Sequence, residues 1–152
     1  MSSAPPAPIA QTDAAELTVR LRQGTLRLAR RLRQEADPDF GQSLVSALAT
    51  IDRHGPLTLG ELADREHLAP PSITKLVNRL ESEGLVRRGP HPDDGRAVSV
   101  TVTKAGATRV ARARDRATAW LREQVGTLTP EEAERLPDVV LVLEALLAGD
   151  AR

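Results

Sequence analysis

LTLGELADREHLAPPSITKLVNRLESEGLVRRGPHPDDGRAVSVTV, residues 57–102, is the stretch that decides the fold of this chain. Thr58 is followed three residues later by Glu61, which is the pattern of a capping box at the start of a short helix. Pro71 suits the first turn of a second helix, and Gly84 is a favourable residue just past its end. The stretch therefore predicts two helices joined by a tight turn.

A β-hairpin is predicted directly after the second helix. Residues 85–88 and 97–102 read as strands, and the GPHPDDG segment between them is rich in turn formers. Arg96 lies at the tip, where a guanidinium can enter a narrow DNA minor groove, and Asp94 could hold that guanidinium in a bidentate pair. Taken alone, the tip also fits an ordinary polar turn, but beside two helices it favours a DNA-binding wing.

The helix over 71–83 has one apolar and one polar face. Apolar residues recur at helical spacing and form one stripe: Ile73, Leu76, Val77 and Leu80. The opposite face and its flanks carry short or hydrogen-bonding side chains, which are the candidate DNA contacts: Pro71, Ser72, Thr74, Lys75, Asn78 and Arg79. Asparagine can pair with adenine, and long cations with guanine or phosphate, so we expect this helix to lie in the major groove. An amphipathic surface helix without DNA is the alternative for the helix alone.

Four more helices are expected around this stretch. Apolar spacing predicts a helix over 12–33 and another over 37–54, with Asp37 as the cap of the second. Thr103 would begin a long helix, and Thr129 a final helix with many apolar residues. The predicted fold class is mainly α-helical with a small antiparallel β-hairpin: a winged helix-turn-helix core flanked by N- and C-terminal dimerisation helices.

The domain organisation follows from these elements. Residues 1–11 are rich in proline, alanine and serine and are predicted to be a disordered arm. Residues 12–36 and 126–150 would form a helical dimerisation region, and 37–125 a winged helix-turn-helix region with its long connecting helix. The apolar faces of the first and last helices favour a homodimer, although the two helices could instead pack on each other within one chain.

Composition excludes several classes of protein. The formal net charge is zero, but residues 71–112 hold eight basic and four acidic side chains, whereas residues 123–150 hold seven acids and one arginine. This distribution favours a local basic surface rather than a globally cationic protein. The chain has no cysteine, hence no disulfide or thiolate metal site, and only two aromatic residues, which argues against base-stacking binders of single strands.

No catalytic or cofactor constellation is visible. Three histidines lie on separate elements without metal-site spacing, and neither a nucleophile elbow nor a glycine-rich phosphate loop is present. We therefore predict a protein that is not an enzyme and has no metal or cofactor. The N-terminus lacks the features of a secretory signal and no apolar run could span a membrane, which predicts a cytoplasmic protein without membrane contact.

The stretch from Glu61 to Gly106 resembles the core of MarR-type transcriptional regulators. Three parts carry the resemblance: the helix exit LEsEGLVRR (80–88), the wing tip Asp94-Gly95-Arg96, and VTkaG (102–106) leading into the next helix. Together with the surrounding helices, the resemblance covers about residues 12–148. In the family pattern, Gly95 is often a second arginine and the residue at Pro70 is often a serine or threonine cap.

The resemblance implies a homodimer whose first and last helices pack around a two-fold axis. It implies that the outward face of helix 71–83, with Arg96 and its acidic partner Asp94, contacts a palindromic double-stranded DNA operator. It further implies repression that is relieved by a small, often aromatic and acidic ligand. The alternative function is a winged-helix protein-interaction module without DNA binding; a small enzyme is a third and weaker hypothesis.

Overall fold

The computed structural model describes residues 13–148, which form six helices and three short strands. In chain order the elements are α1 (Ala14–Ala36), α2 (Gln42–His54), β1 (Leu57–Thr58), α3 (Leu59–Glu66), α4 (Pro70–Ser82), β2 (Val86–Pro90), β3 (Val98–Val102), α5 (Lys104–Val125) and α6 (Pro130–Ala148). The predicted fold class, mainly α-helical with a small antiparallel sheet, is confirmed. The predicted disordered arm, 1–11, and the end of the predicted C-terminal region, 149–150, lie outside the described residues.

Side-chain caps fix the starts of three helices where the sequence predicts them. Thr58 Oγ1 accepts the Glu61 N–H at 3.2 Å, and the Glu61 carboxylate accepts the Thr58 N–H at 2.7 Å, which completes a capping box on α3. Thr103 Oγ1 likewise accepts the Gly106 N–H on α5, and Thr129 forms a capping box on α6. Each cap satisfies a backbone donor that the helix leaves unpaired.

The replacement Thr58→Ala should lower the free energy of unfolding by about 1 kcal/mol, because the first turn of α3 loses its side-chain acceptor. The backbone and hydroxyl hydrogen bonds from Thr58 also lower the pKa of Glu61. A carboxylate whose pKa is depressed on folding stabilises the protein above its unfolded pKa, and this stabilisation is lost as the pH falls through the folded pKa. Urea unfolding of both proteins at neutral and acidic pH measures both effects. Equal stability at pH 7 would contradict the cap.

The sheet has three strands rather than the predicted two. Strand β3 lies in the middle, pairing antiparallel with β2 on one side and with β1 on the other. The hairpin prediction was thus incomplete, because β1 is only two residues long and shows no alternation of its own. The register places Leu57 opposite Val100, and both side chains are buried. The short strand ties the start of α3 to the hairpin.

The predicted start of the second helix at Asp37 is wrong. Helix α2 begins at Gln42, after Gly41, whose φ of 87° suits glycine and breaks the helical path. Asp37 follows the last turn of α1 and is buried, and its carboxylate accepts a hydrogen bond from Arg109 Nε on α5 at 2.8 Å. The carboxylate is therefore engaged by a distant arginine, and Phe40 closes the turn by burying its ring.

One apolar core holds α2, α3, α4 and the sheet together. Its fully buried members come from each of these elements: Leu48, Ile51, Leu62, Ile73, Val77, Leu80 and Val100. Helix α1 packs along α5, whereas no residue of α6 is buried in the single chain. No helix within residues 13–148 is long and apolar enough to cross a membrane.

Candidate nucleic-acid interface

Helix α4 is anchored by its apolar stripe and exposes the rest of its surface. Ile73, Val77 and Leu80 are completely buried, and Leu76 is partly buried against the same core. The helix starts with Pro70 as its first residue and Ala69 as the cap position, so no side chain caps this end. The fold thus holds the inner face of α4 rigidly and leaves the outer face free for a partner.

All of the helix residues predicted to contact DNA are exposed: Pro71, Ser72, Thr74, Lys75, Asn78 and Arg79. Lys75 has no carboxylate within 4 Å among residues 13–148, so its charge is uncompensated on this face. The Thr74 hydroxyl donates to the Pro70 carbonyl oxygen at 3.0 Å, back along its own helix. The outer face therefore presents a cation and several small polar groups to its surroundings.

Arg88 connects one flank of α4 to the hairpin. It lies on β2, forms an ion pair with Glu81, and donates from Nη2 to Asn78 Oδ1 at 2.8 Å. Its backbone N–H donates to Glu81 Oε1. The amide of Asn78 is therefore held in a fixed orientation, with its oxygen occupied and its NH2 group available for a further acceptor. Arg88 belongs to the local basic excess, but no pattern in the sequence predicts its contact with Asn78.

The opposite flank of α4 contacts α5 and the turn before α2. Arg79 Nε donates to Glu83 Oε1 at 3.1 Å, and Arg109 Nη1 lies 3.9 Å from Glu83 Oε2. The Arg109 guanidinium stacks on Phe40, with Cζ 3.7 Å from the ring centroid, and pairs with Asp37. A chain of alternating charges thus runs from the turn before α2 to the candidate DNA-contacting helix.

The hairpin tip is exposed, but its predicted internal ion pair is not found. Asp94 Oδ1 accepts the backbone N–H of Arg96 at 3.0 Å instead of its guanidinium, and the Asp94 carbonyl oxygen accepts the Ala97 N–H. This local bond, typical of an aspartate in a turn, shapes the backbone of the tip. The Arg96 guanidinium has no carboxylate within 4 Å in the described part of the chain and projects from a turn that Asp94 organises.

A cleft lies between the α1–α5 pair and α2. Its volume is about 220 Å³, and its walls are largely apolar, including Leu32, Phe40 and Val110. Arginines line it as well: Arg33, Arg53, Arg109 and Arg114. Of these, only Arg109 has a carboxylate within 4 Å among residues 13–148. Asp37 lines the cleft as well, with its carboxylate engaged by Arg109. The three remaining guanidinium groups at the edge of an apolar cavity suit a small amphipathic anion.

These features define a winged helix-turn-helix protein, and comparisons with known proteins give its family. A sequence profile of the MarR family matches residues 42–98. An HTH-type transcriptional regulator of Mycobacterium tuberculosis is 38% identical over 134 residues, which cover 88% of this chain and 94% of that protein. The chain belongs to the MarR family.

Solved structures agree with this assignment. A transcriptional regulator protein from Pseudomonas aeruginosa superposes with a TM-score of 0.72 at 31% identity, covering 89% of this chain and 96% of that one. The Staphylococcus aureus protein MepR, in a mutant form bound to an oligodeoxyribonucleotide, shares the fold with a TM-score of 0.63 at 19% identity, covering 86% and 97%. The predicted MarR-type resemblance is confirmed. The chain is a DNA-binding transcriptional regulator, a class whose members are not enzymes.

Proposed function

We propose that this protein is a dimeric repressor that reads a palindromic operator with α4 and the hairpin tip of each subunit. The observation that carries the proposal is the pairing of two exposed basic features, the outer face of α4 and Arg96, on elements that Arg88 ties together. Lys75 and Asn78 would contact base edges or phosphates in the major groove, and Arg96 the adjacent minor groove. A mutant of MepR, a relative in fold, was solved bound to an oligodeoxyribonucleotide, which supports DNA as the partner.

The surface of α6 supports a second copy of this chain as the dimerisation partner. Its apolar side chains are 45–68% exposed in the single chain: Val139, Val140, Leu141, Val142, Leu146 and Leu147. Contiguous apolar surface of this kind is covered by a partner in soluble proteins. Helix α1 also exposes leucines in the single chain, among them Leu17, Leu21 and Leu28. A symmetric dimer would set two α4 helices about one DNA turn apart, roughly 34 Å.

The cleft beside α5 supports control by a small ligand. Its apolar walls would take an aromatic ring, and Arg33, Arg53 or Arg114 would pair with a carboxylate. The cleft lies between α1, which belongs to the proposed dimerisation region, and α2, which belongs to the DNA-binding core. A ligand that binds one arrangement of these parts more tightly than the other would shift the population of DNA-competent dimers. The polar, cationic face of α4 favours DNA over the alternative of a protein-interaction module, for which an apolar face is expected.

Replacing Arg96 with alanine tests the wing. The dissociation constant for operator DNA should rise about ten-fold, because a minor-groove cation is lost. The slope of log affinity against log salt concentration should become shallower by about one for each wing. The measurement is fluorescence anisotropy on the DNA upstream of the protein's own gene, against scrambled DNA, over a salt series. Arg122→Ala, which removes the same charge from the last turn of α5, is the matched control and should bind like the native protein. Unchanged affinity of Arg96→Ala at about 0.15 M salt would remove the wing from the interface.

A further inference from the structure

Glu83, at the end of α4, lies between two arginines that belong to different elements. Its Oε1 accepts a hydrogen bond from Arg79 Nε at 3.1 Å, and its Oε2 lies 3.9 Å from Arg109 Nη1. One carboxylate is thus close to a guanidinium of the DNA-contacting helix and to a guanidinium of α5. Arg79 holds the shorter of the two contacts.

The two arginines differ in how firmly they are held. Arg109 Nε donates to Asp37 at 2.8 Å, and its guanidinium stacks on Phe40, whose ring is 3% exposed. The Arg79 side chain is 58% exposed, and its Cζ lies 6.0 Å from the same ring. An exposed pair between residues four apart on a helix is weak, whereas a partly buried stacked guanidinium is costly to displace. Arg79 is therefore the partner that can leave, and Arg109 the one that stays.

Arg79 has competing uses for its single guanidinium. It lies one turn after Lys75, on the side of α4 that borders the outer face, where a long cation can reach a phosphate at the edge of the groove. While it is paired with Glu83, the carboxylate would stand beside that phosphate, and like charges repel. Binding DNA through Arg79 therefore requires Glu83 to turn elsewhere.

We propose that Glu83 and Arg109 are positioning residues that control the availability of Arg79 for DNA. Without DNA, Glu83 holds Arg79; on DNA, Arg79 turns to a phosphate, and Glu83 closes the short distance to Arg109. Arg109 thereby gives the released carboxylate a guanidinium partner, which it shares with Asp37. This exchange rests on the proposed role of α4 in DNA contact and specifies how one of its cations is regulated.

A double-mutant cycle between Glu83 and Arg79 tests the exchange. Glu83→Gln keeps the shape of the side chain but removes its charge. DNA binding should tighten by about two-fold for each α4 helix on the DNA, because the exposed ion pair that holds Arg79 is worth about that much. A further, general gain comes from removing a negative charge near DNA. In the Arg79→Gln background, only the general gain should remain. The readout is the dissociation constant for a duplex from upstream of the protein's own gene, and thermal unfolding verifies that each variant is folded.

The outcomes separate this proposal from the function on which it rests. An equal gain from Glu83→Gln with and without Arg79, or no gain at all, overturns the exchange while DNA reading by α4 stands. Lys75→Gln, measured in the same assay, reports on α4 independently because Lys75 has no carboxylate partner in the described chain. If Lys75→Gln and Arg79→Gln both bind like the native protein, α4 does not contact DNA and both proposals fall.

The role of Arg109 has its own readout. Arg109→Gln should weaken DNA binding more when Glu83 is present than in the Glu83→Gln background, because the carboxylate released from Arg79 is absent from that background. Any effect that comes from the loss of the Asp37 contact is common to both backgrounds. Should Arg109→Gln fail to fold, NMR of the arginine Nε–H groups in the native protein tests whether Arg79 leaves Glu83 when DNA binds. On adding the duplex, the Arg79 Nε–H signal, assigned by its loss in Arg79→Gln, should shift strongly because its hydrogen bond to Glu83 breaks. The Arg109 Nε–H signal should shift much less because Arg109 Nε still donates to Asp37. An unmoved Arg79 signal overturns the exchange.

Discussion

Replacing Val140 and Leu147 with glutamate should separate the proposed dimer into monomers and raise the dissociation constant for the full operator at least about 100-fold. In a dimer, binding of one subunit to DNA holds the second subunit at a high effective concentration near its half of the operator, which raises the affinity. This gain is lost when the subunits separate. The two residues lie seven apart on α6, hence on one face, and are 45% and 68% exposed in the single chain. Glutamates there would be desolvated against apolar neighbours in a dimer but cost little in a monomer.

Sedimentation velocity gives the oligomeric state, and anisotropy on full and half operators gives the binding constants. The apolar exchange Val140→Leu with Leu147→Met is the matched control, because it preserves the hydrophobic face and should preserve both the dimer and the affinity. Affinity for a half operator should differ little between the glutamate variant and the native protein. A glutamate variant that sediments as a dimer would place the interface away from this face of α6.

Local signals were sufficient to predict the starts of three helices, α3, α5 and α6. The capping residues Thr58, Thr103 and Thr129 each act on a backbone group within three residues. Such contacts are encoded in adjacent sequence and need no knowledge of the fold. The buried stripe of α4 follows from helical periodicity for the same reason, since it is a property of one helix. The six helices and the hairpin, in their order along the chain, were thus readable before any tertiary contact was known.

Contacts between distant residues could not be read in this way. Asp37 looks like a helix cap in sequence, yet its carboxylate bonds Arg109, 72 residues further along the chain. The two residues of β1 acquire their conformation from pairing with β3 and have no periodicity to detect. Local propensity is a weak prior that tertiary contacts override. The start of α2 and the third strand were therefore found only in the three-dimensional arrangement.

In the candidate interface too, the properties of a single helix could be predicted from sequence, whereas contacts between elements could not. Exposure of the outer face of α4 follows from periodicity and agrees with the structure. The flanking partners Arg88, Glu83 and Arg109 come from other turns and elements, and they determine which polar groups of α4 are already engaged. Arg109 also lines the cleft beside α5, so the candidate ligand site and the end of α4 are connected through one guanidinium. A hypothesis about coupling between them requires these contacts and could not come from sequence patterns.

Gly106→Ala should destabilise the protein by about 3 kcal/mol, although glycine to alanine within a helix ordinarily stabilises by about 1 kcal/mol. Gly106 lies buried in the first turn of α5. A Cβ atom there would overlap the carbonyl oxygen of Leu85 and lie 2.8 Å from Val102 Cγ2. The Leu85 carbonyl cannot yield freely, because it accepts the Thr103 N–H at 2.9 Å and thereby joins the end of α4 to the start of α5.

Thermal unfolding measures this loss of stability, and the melting temperature of Gly106→Ala should be roughly 10 °C below that of the native protein. Gly60→Ala on α3 is the matched control, because the nearest atom to its added Cβ is Thr58 Oγ1 at 3.9 Å, an ordinary van der Waals distance. It should be neutral or slightly stabilising. Gly106→Ala with native stability would show that α5 can move away from the hairpin without loss. Since that junction fixes α5 against the wing, an α5 free to shift would also loosen the attachment of Arg109 to Glu83.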